Sequence, residues 1–196
     1  MKTFRPTLLA LALLLGSLTF GHAQTFTGTF SGLTEVPPNA SAGTGFATVT
    51  INLATHMLTV QATFSNLTGT VTAAHVHAPA FPGTNASVAT QTPTFLGFPS
   101  GVQSGTYNMT FDMTLASTWN SAYITANGGT PAGAEAAFAN ALNNGQAYFN
   151  IHTNMFGGGE IRANLVPEPS TTALLSAGIL AAGVAAWRRR RGVSRH

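Results

Sequence analysis

The sequence has no cysteine. Disulfide staples, thiolate zinc sites and cysteine nucleophiles are therefore excluded. It is also poor in charge, at 7% of 196 residues, where an average soluble chain carries about 25%. That excludes a charge-rich disordered tail and a long charged coiled coil. Cations are missing from the middle of the chain. Lys2 and Arg5 lie at one end, and Arg188, Arg189, Arg190, Arg191 and Arg195 at the other. Between Thr25 and Val166, Arg162 stands alone against Glu35, Asp112, Glu135 and Glu160. The formal net charge of +3 therefore belongs to the termini, and the body is acidic. A body with one cation cannot neutralise a run of phosphates, so nucleic acid is excluded as a partner. There is also no H-E-x-x-H, P-loop or G-x-S-x-G motif.

The ends carry targeting patterns. Lys2 and Arg5 precede the apolar run Leu8 to Leu15, and Gly21-His22-Ala23 supplies small residues at a cleavage site. That order is a signal peptide, assigned to residues 1–23. At the other end, Val166-Pro167-Glu168-Pro169-Ser170 excludes helix. Seventeen uncharged residues follow, Thr171 to Trp187, then the Arg188–Arg191 block. A helix over 171–187 is about 25 Å long, enough for a thin bilayer. The arginines would hold its end in the cytoplasm.

The body, residues 24–165, alternates apolar and polar positions with the period of a strand. Phe26, Gly28, Phe30 and Gly32 form one series; Ala47, Val49, Ile51 and Leu53 another. Leu58, Val60, Ala62 and Phe64 follow, as do Tyr107, Met109, Phe111, Met113 and Leu115. Each implies a strand with one wet face. Asn52 to His56 and Asn66 to Gly69 read as turns. The expected architecture is an all-β, antiparallel Greek-key β-sandwich or barrel. One segment departs from this pattern. Thr130-Pro131 followed by Ala134, Phe138 and Leu142, with Gly145 beyond, predicts a helix over 131–143. Glu135 is expected exposed on that helix, and Asp112 on a strand face.

Six histidines are present. His22 and His196 lie in the terminal segments, and His56 falls in a turn where solvation is expected. His75 and His77 sit at i and i+2 of Thr72-Ala73-Ala74-His75-Val76-His77-Ala78, so both imidazoles share one strand face. Such a pair can chelate copper or zinc given a further ligand. His152 is the third candidate, and the hairpin closed by Asn154 to Gly159 would bring Glu160 beside it as a fourth ligand or an orienting group. Arg162 could instead hold Glu160 in an ion pair. Structural histidines, hydrogen-bonded and metal-free, are the competing reading. Ligation needs neutral imidazole, which at the ordinary histidine pKa means weaker binding below about pH 6.5.

Two stretches of sequence resemble known families. Pro167-Glu168-Pro169, the apolar span and Arg188, Arg189, Arg190 and Arg191 resemble a PEP-CTERM sorting signal over residues 166–192. That likeness implies processing by an exosortase-type enzyme. It also implies transient membrane anchoring with a cytoplasmic C-terminus, then release to the cell surface or extracellular matrix. Residues 25–165 resemble a CHRD domain. The matching stretches are Gly32-Leu33-Thr34-Glu35-Val36-Pro37-Pro38-Asn39 with Gly43-Thr44-Gly45-Phe46-Ala47, then Ala73 to Ala78, then Ala147 to Thr153 with Gly158-Gly159-Glu160-Ile161-Arg162. The family implies an extracellular β-sandwich, immunoglobulin-like or similar to Cu/Zn superoxide dismutase. The His-x-His strand resembles the copper-ligand strand of those dismutases. No catalytic residue is assigned. The first expectation is an exported, surface-sorted, non-enzymatic binding or structural module associated with extracellular matrix, exopolysaccharide or a surface protein. The alternative is an extracellular copper- or zinc-binding protein.

Overall fold

A computed structural model describes residues 23–81 and 83–168. The signal peptide, the span at 171–187, Pro169 and the Arg188–Arg191 block lie outside the described residues, apart from Ala23. Among the described residues no helix is long and apolar enough to cross a membrane.

Seven strands form a single antiparallel sheet. They are β1 (Gln24–Ser31), β2 (Thr44–Asn52), β3 (Met57–Ser65), β4 (Val71–His77), β5 (Gly105–Asp112), β6 (Ala147–Thr153) and β7 (Ile161–Pro167). Their order across the sheet is β4-β6-β7-β1-β2-β3-β5. The sequence suggested a sandwich or barrel, and the strands make one curled sheet, a half-barrel. The 78–104 connection spans the gap between its edges. At one end the Val71 amide donates to Val102 and the Leu67 amide to Gln103. Further along, Phe95 packs on Phe111 of β5 at 5.4 Å and on Phe149 of β6 at 5.6 Å.

The alternation predicts the inner face closely. Phe26, Phe30, Val49, Ile51, Leu58 and Val60 are all at or below 1% exposure. Burying each of these side chains contributes roughly 1.5–3 kcal/mol. Their partners on the outer face of β1, β2, β3 and β5 are mostly threonine. The register sets Thr25, Thr50, Thr59 and Thr110 in one row. Two of its pairs share hydroxyl hydrogen bonds, Thr25 with Thr50 at 3.1 Å and Thr59 with Thr110 at 2.9 Å. β-Branched side chains suit such a pleated, wet surface.

Two helices join the core, the second packed against β6 and β7 and the first against the second. The Asn120 side chain caps α1 (Ser121–Ala126), which the sequence reading missed. The Thr130 side chain caps α2 (Pro131–Asn143) and Pro131 opens it. Ala134, Phe138 and Leu142 are buried as the stripe requires, and Phe138 meets Trp119 edge-on at 5.4 Å. Glu135 was expected exposed, but it is buried. His56 explains the difference. It adopts a left-handed φ of 55° in the β2–β3 turn, and its Nδ1 lies 2.9 Å from both Glu135 carboxylate oxygens. His56 is therefore a tie between sheet and helix as well as a turn residue. Asp112 closes β5, where its carboxylate accepts from the Thr114 amide and hydroxyl.

Candidate metal centre

The candidate site lies on the outer face of β4, β6 and β7, opposite the apolar core. Strand alternation places Val76, Phe149 and Ile151 inward and His75, His77, Tyr148, Asn150 and His152 outward. Register then builds the patch. His75 stands opposite Asn150, which stands opposite Arg162; His77 stands opposite Tyr148; His152 stands opposite Ala73. The outer face of the threonine strands is wet, but this one is covered. The 78–98 connection runs beside β4, its Ala89 amide donating to Val76, and the segment after β1 reaches over β7. His75 and His77 are consequently 7% and 8% exposed, and His152 is half-buried.

Three histidines that the sequence singled out come together. One ring nitrogen from each of His75, His77 and His152 lies within 4.8 Å of the others. The opposite nitrogen of each ring meets a backbone carbonyl. His75 Nε2 is 3.0 Å from Pro93 O, His77 Nδ1 is 2.8 Å from Ala86 O and His152 Nδ1 is 3.0 Å from Gly157 O. A carbonyl only accepts, so each of these ring nitrogens carries the proton and donates. The lone pairs are left on His75 Nδ1, His77 Nε2 and His152 Nε2. All three atoms are buried and have no hydrogen-bond partner.

Burial also controls protonation. Desolvation, with the neighbouring His152 and His77 adding repulsion, lowers the His75 pKa to about 3. Desolvation lowers His77 to about 4, against the pull of the Ala86 bond and with help from His152 and Arg162. Burial lowers His152 as well. The His75 and His77 imidazoles thus stay neutral well below pH 6.5, the limit the ordinary histidine pKa implied, and His152 shifts in the same direction. On a zinc or copper ion, imidazole nitrogens sit about 2.0–2.1 Å from the metal, roughly 3.3–3.6 Å from one another. The observed separations, up to 4.8 Å, would have to close by roughly 1.2–1.5 Å at their widest to reach that geometry.

Glu160 does not join the cluster. Its carboxylate accepts from the Thr68 and Gly69 amides and the Ser41 and Thr153 hydroxyls. Burial opposes its charge, but these four bonds outweigh it and hold the carboxyl below its ordinary value. Thr153 is on the inward face, the side opposite His152. The ladder of β6 and β7 ends at Ile151 and Ile161, and Gly159 at φ 126° turns the chain before Glu160. The simple hairpin register that put Glu160 beside His152 therefore fails. Nor does Arg162 pair with Glu160. Its Nε lies 3.3 Å from Glu35 Oε2, and both side chains are nearly fully buried.

Sequence reasoning missed the residues around the cluster. Tyr148 stacks on His77 with ring centroids 4.7 Å apart and planes 5° apart. The Arg162 guanidinium lies 3.7 Å from the centre of the same tyrosine ring. Asn150 donates to Glu35 at 3.3 Å. The available signal was Arg162 itself, because a lone cation in an acidic, charge-poor body is a candidate for a buried pair.

A one-sheet antiparallel domain with a buried three-histidine cluster on its covered face defines an all-β class with a candidate metal centre. The chain belongs to the CHRD domain family, whose model matches residues 26–165. Residues 165–191 match the PEP-CTERM protein-sorting motif, which marks the chain for export, exosortase processing and sorting to the surface. Near its start, Pro167 closes β7 opposite Phe26 of β1, and the Glu168 amide donates to Thr25 O at 2.9 Å. No curated protein and no solved structure matches the chain.

Proposed function

We propose that the domain binds one transition-metal ion, copper or zinc, through His75 Nδ1, His77 Nε2 and His152 Nε2, and presents it outside the cell. One observation carries this reading: three buried imidazole lone pairs converge with nothing to accept. Leaving a buried polar atom unpaired costs about 1–3 kcal/mol, and protein interiors rarely accept it three times in one place. Histidines with a purely structural role would use both nitrogens. Here each ring instead donates its far N–H to a carbonyl, the arrangement that fixes the tautomer of a metal-ligating histidine. Neutral imidazoles without a thiolate or a carboxylate suit copper and zinc. Three protein ligands leave a further coordination position for water or a small molecule.

Elemental analysis of the exported protein tests this reading. Near-stoichiometric copper or zinc in the parent, and none in a folded His75→Ala/His77→Ala variant, is the expected result. Absence of metal from the parent after incubation with both ions at neutral pH would overturn it.

A second reading, a module seated in extracellular matrix or exopolysaccharide, is favoured by a different surface. The outer face of β1, β2, β3 and β5 is hydroxyl-rich and carries one charged side chain, Asp112 at the end of β5, with Phe46 exposed on β2 between Thr29 and Thr63. Such a face can hydrogen-bond and stack on neutral sugars. Failure to bind neutral polysaccharides in affinity electrophoresis would remove that reading.

A further inference from the structure

Arg162 is the one cation of the body, and it is 3% exposed. Burying a guanidinium is costly, and it persists only where its donors are used. Arg162 uses them on the cover of the metal centre. Nη1 donates to Thr84 O at 3.1 Å, Nη2 donates to Asn85 Oδ1, and Nε faces Glu35. The next residue, Ala86, is held by Tyr148. The tyrosine hydroxyl accepts from the Ala86 amide at 3.1 Å and donates to the Ala86 carbonyl at 3.3 Å. That same carbonyl receives the His77 Nδ1 proton. Asn85 is anchored a second time, its Nδ2 donating to Val36 O at 2.7 Å.

The chain of contacts has a chemical consequence. A neutral imidazole carries its proton on one nitrogen only, and the hydrogen bond made by one nitrogen decides what the other can do. If the Ala86 carbonyl moves away, His77 can place its proton on Nε2. The lone pair then leaves the cluster, and one of three ligands is lost without any change to the ligands themselves.

We infer that Arg162 is a positioning residue for the metal centre: by clamping Thr84 and Asn85 it holds the Ala86 carbonyl that keeps the His77 lone pair on Nε2. The inference rests on the metal reading for its importance, but its structural half can be tested without metal. Arg162→Lys keeps the charge and loses the planar fork, which a single ammonium cannot replace. Asn85→Ala removes one arm of the clamp at an exposed side chain, so it should fold even where Arg162→Lys does not.

The test is long-range 1H–15N NMR of the His77 ring in the metal-free full chain, beside titration with Cu(II) alone and Zn(II) alone. The parent should show His77 purely as the Nδ1–H form. Both variants should show an Nε2–H population and bind the ions about 10- to 100-fold more weakly, the usual effect of losing an outer-shell partner. An unchanged Nδ1–H form and parent affinity in Asn85→Ala and in any folded Arg162→Lys would overturn the inference. If the parent binds neither ion, the metal reading falls, and the tautomer measurement still decides whether Arg162 positions His77.

Discussion

One sheet presents two outer faces of opposite character. Over β1, β2, β3 and β5 the face is open, and in its outward row Thr25 bonds to Thr50 and Thr59 to Thr110. Over β4, β6 and β7 the same side of the sheet is roofed by two connections, and it buries His75, His77, Asn150 and Arg162. The strands are built alike, so the roof makes the difference. A polar face left open is inexpensive, because water satisfies it. A polar face that is covered must satisfy itself, and this one does so except around a centre. Glu35 Oε1, Asn150 Oδ1, Arg162 Nε and the three imidazole nitrogens are the buried side-chain atoms without a hydrogen-bond partner among the described residues. All six belong to the roofed patch.

Perturbing the two faces should give effects of very different size. Changing His75 and His77 together to alanine should abolish copper and zinc binding, an affinity loss of more than about 100-fold in calorimetric titration. The variant also loses the bonds that the two rings donate to Pro93 O and Ala86 O, at about 1–3 kcal/mol each, so circular dichroism establishes that it is folded before the titration. In the parent, metal held at a thousandfold above its dissociation constant should add about 4 kcal/mol of stability, which a chelator removes, lowering the melting temperature. Equal melting temperatures with and without chelator would break the contrast between the faces.

Glu160→Gln comes next. It places an amide where four donors converge, and it should cost about 2–4 kcal/mol in denaturant unfolding. Metal stoichiometry should stay unchanged, because Glu160 serves the clamp of the Thr68–Gly69 turn and no ligand. Loss of metal binding in a folded Glu160→Gln variant would restore it to the site.

The pH dependence follows from the depressed histidines. In the unfolded chain they take up protons near pH 6.5, whereas in the fold His75 and His77 do so only at about 3 and 4. The unfolded state therefore binds more protons between those limits, and stability falls as pH drops from about 6.5 towards 4. The slope should reach up to about 1.4 kcal/mol per pH unit for each such histidine. Above pH 7 the contribution is fully present and flat. A metal-free stability curve that is level from pH 7 to pH 4.5 in the parent, or as steep in the double alanine variant, would contradict the burial of these rings. The smallest effect belongs to the open face, where Thr59→Val should change stability by no more than about 0.5 kcal/mol.

Much of this was legible in the sequence, for reasons specific to each element. Leu58, Val60, Ala62 and Phe64 alternate because a strand with one wet face requires it, and they are buried as expected. Thr130-Pro131 announces α2 because the cap and the first-turn proline act locally. His75 and His77 share a face for the same local reason. What escaped is what depends on distant partners. Whether seven strands form one sheet or two is decided by β4 crossing to the far edge, which alternation does not encode. Glu160 was misplaced because a glycine φ turns its backbone over. The roles of Glu35 and Arg162 emerge only when segments more than a hundred residues apart meet.

The central claim is that three orphaned imidazole nitrogens form a metal site. Calorimetric titration of the metal-stripped exported protein with copper and with zinc at pH 7, beside the His75→Ala/His77→Ala variant, tests it most directly. The account predicts one ion per chain in the parent and none in the variant. No binding in the parent, or equal binding in both proteins, would contradict it.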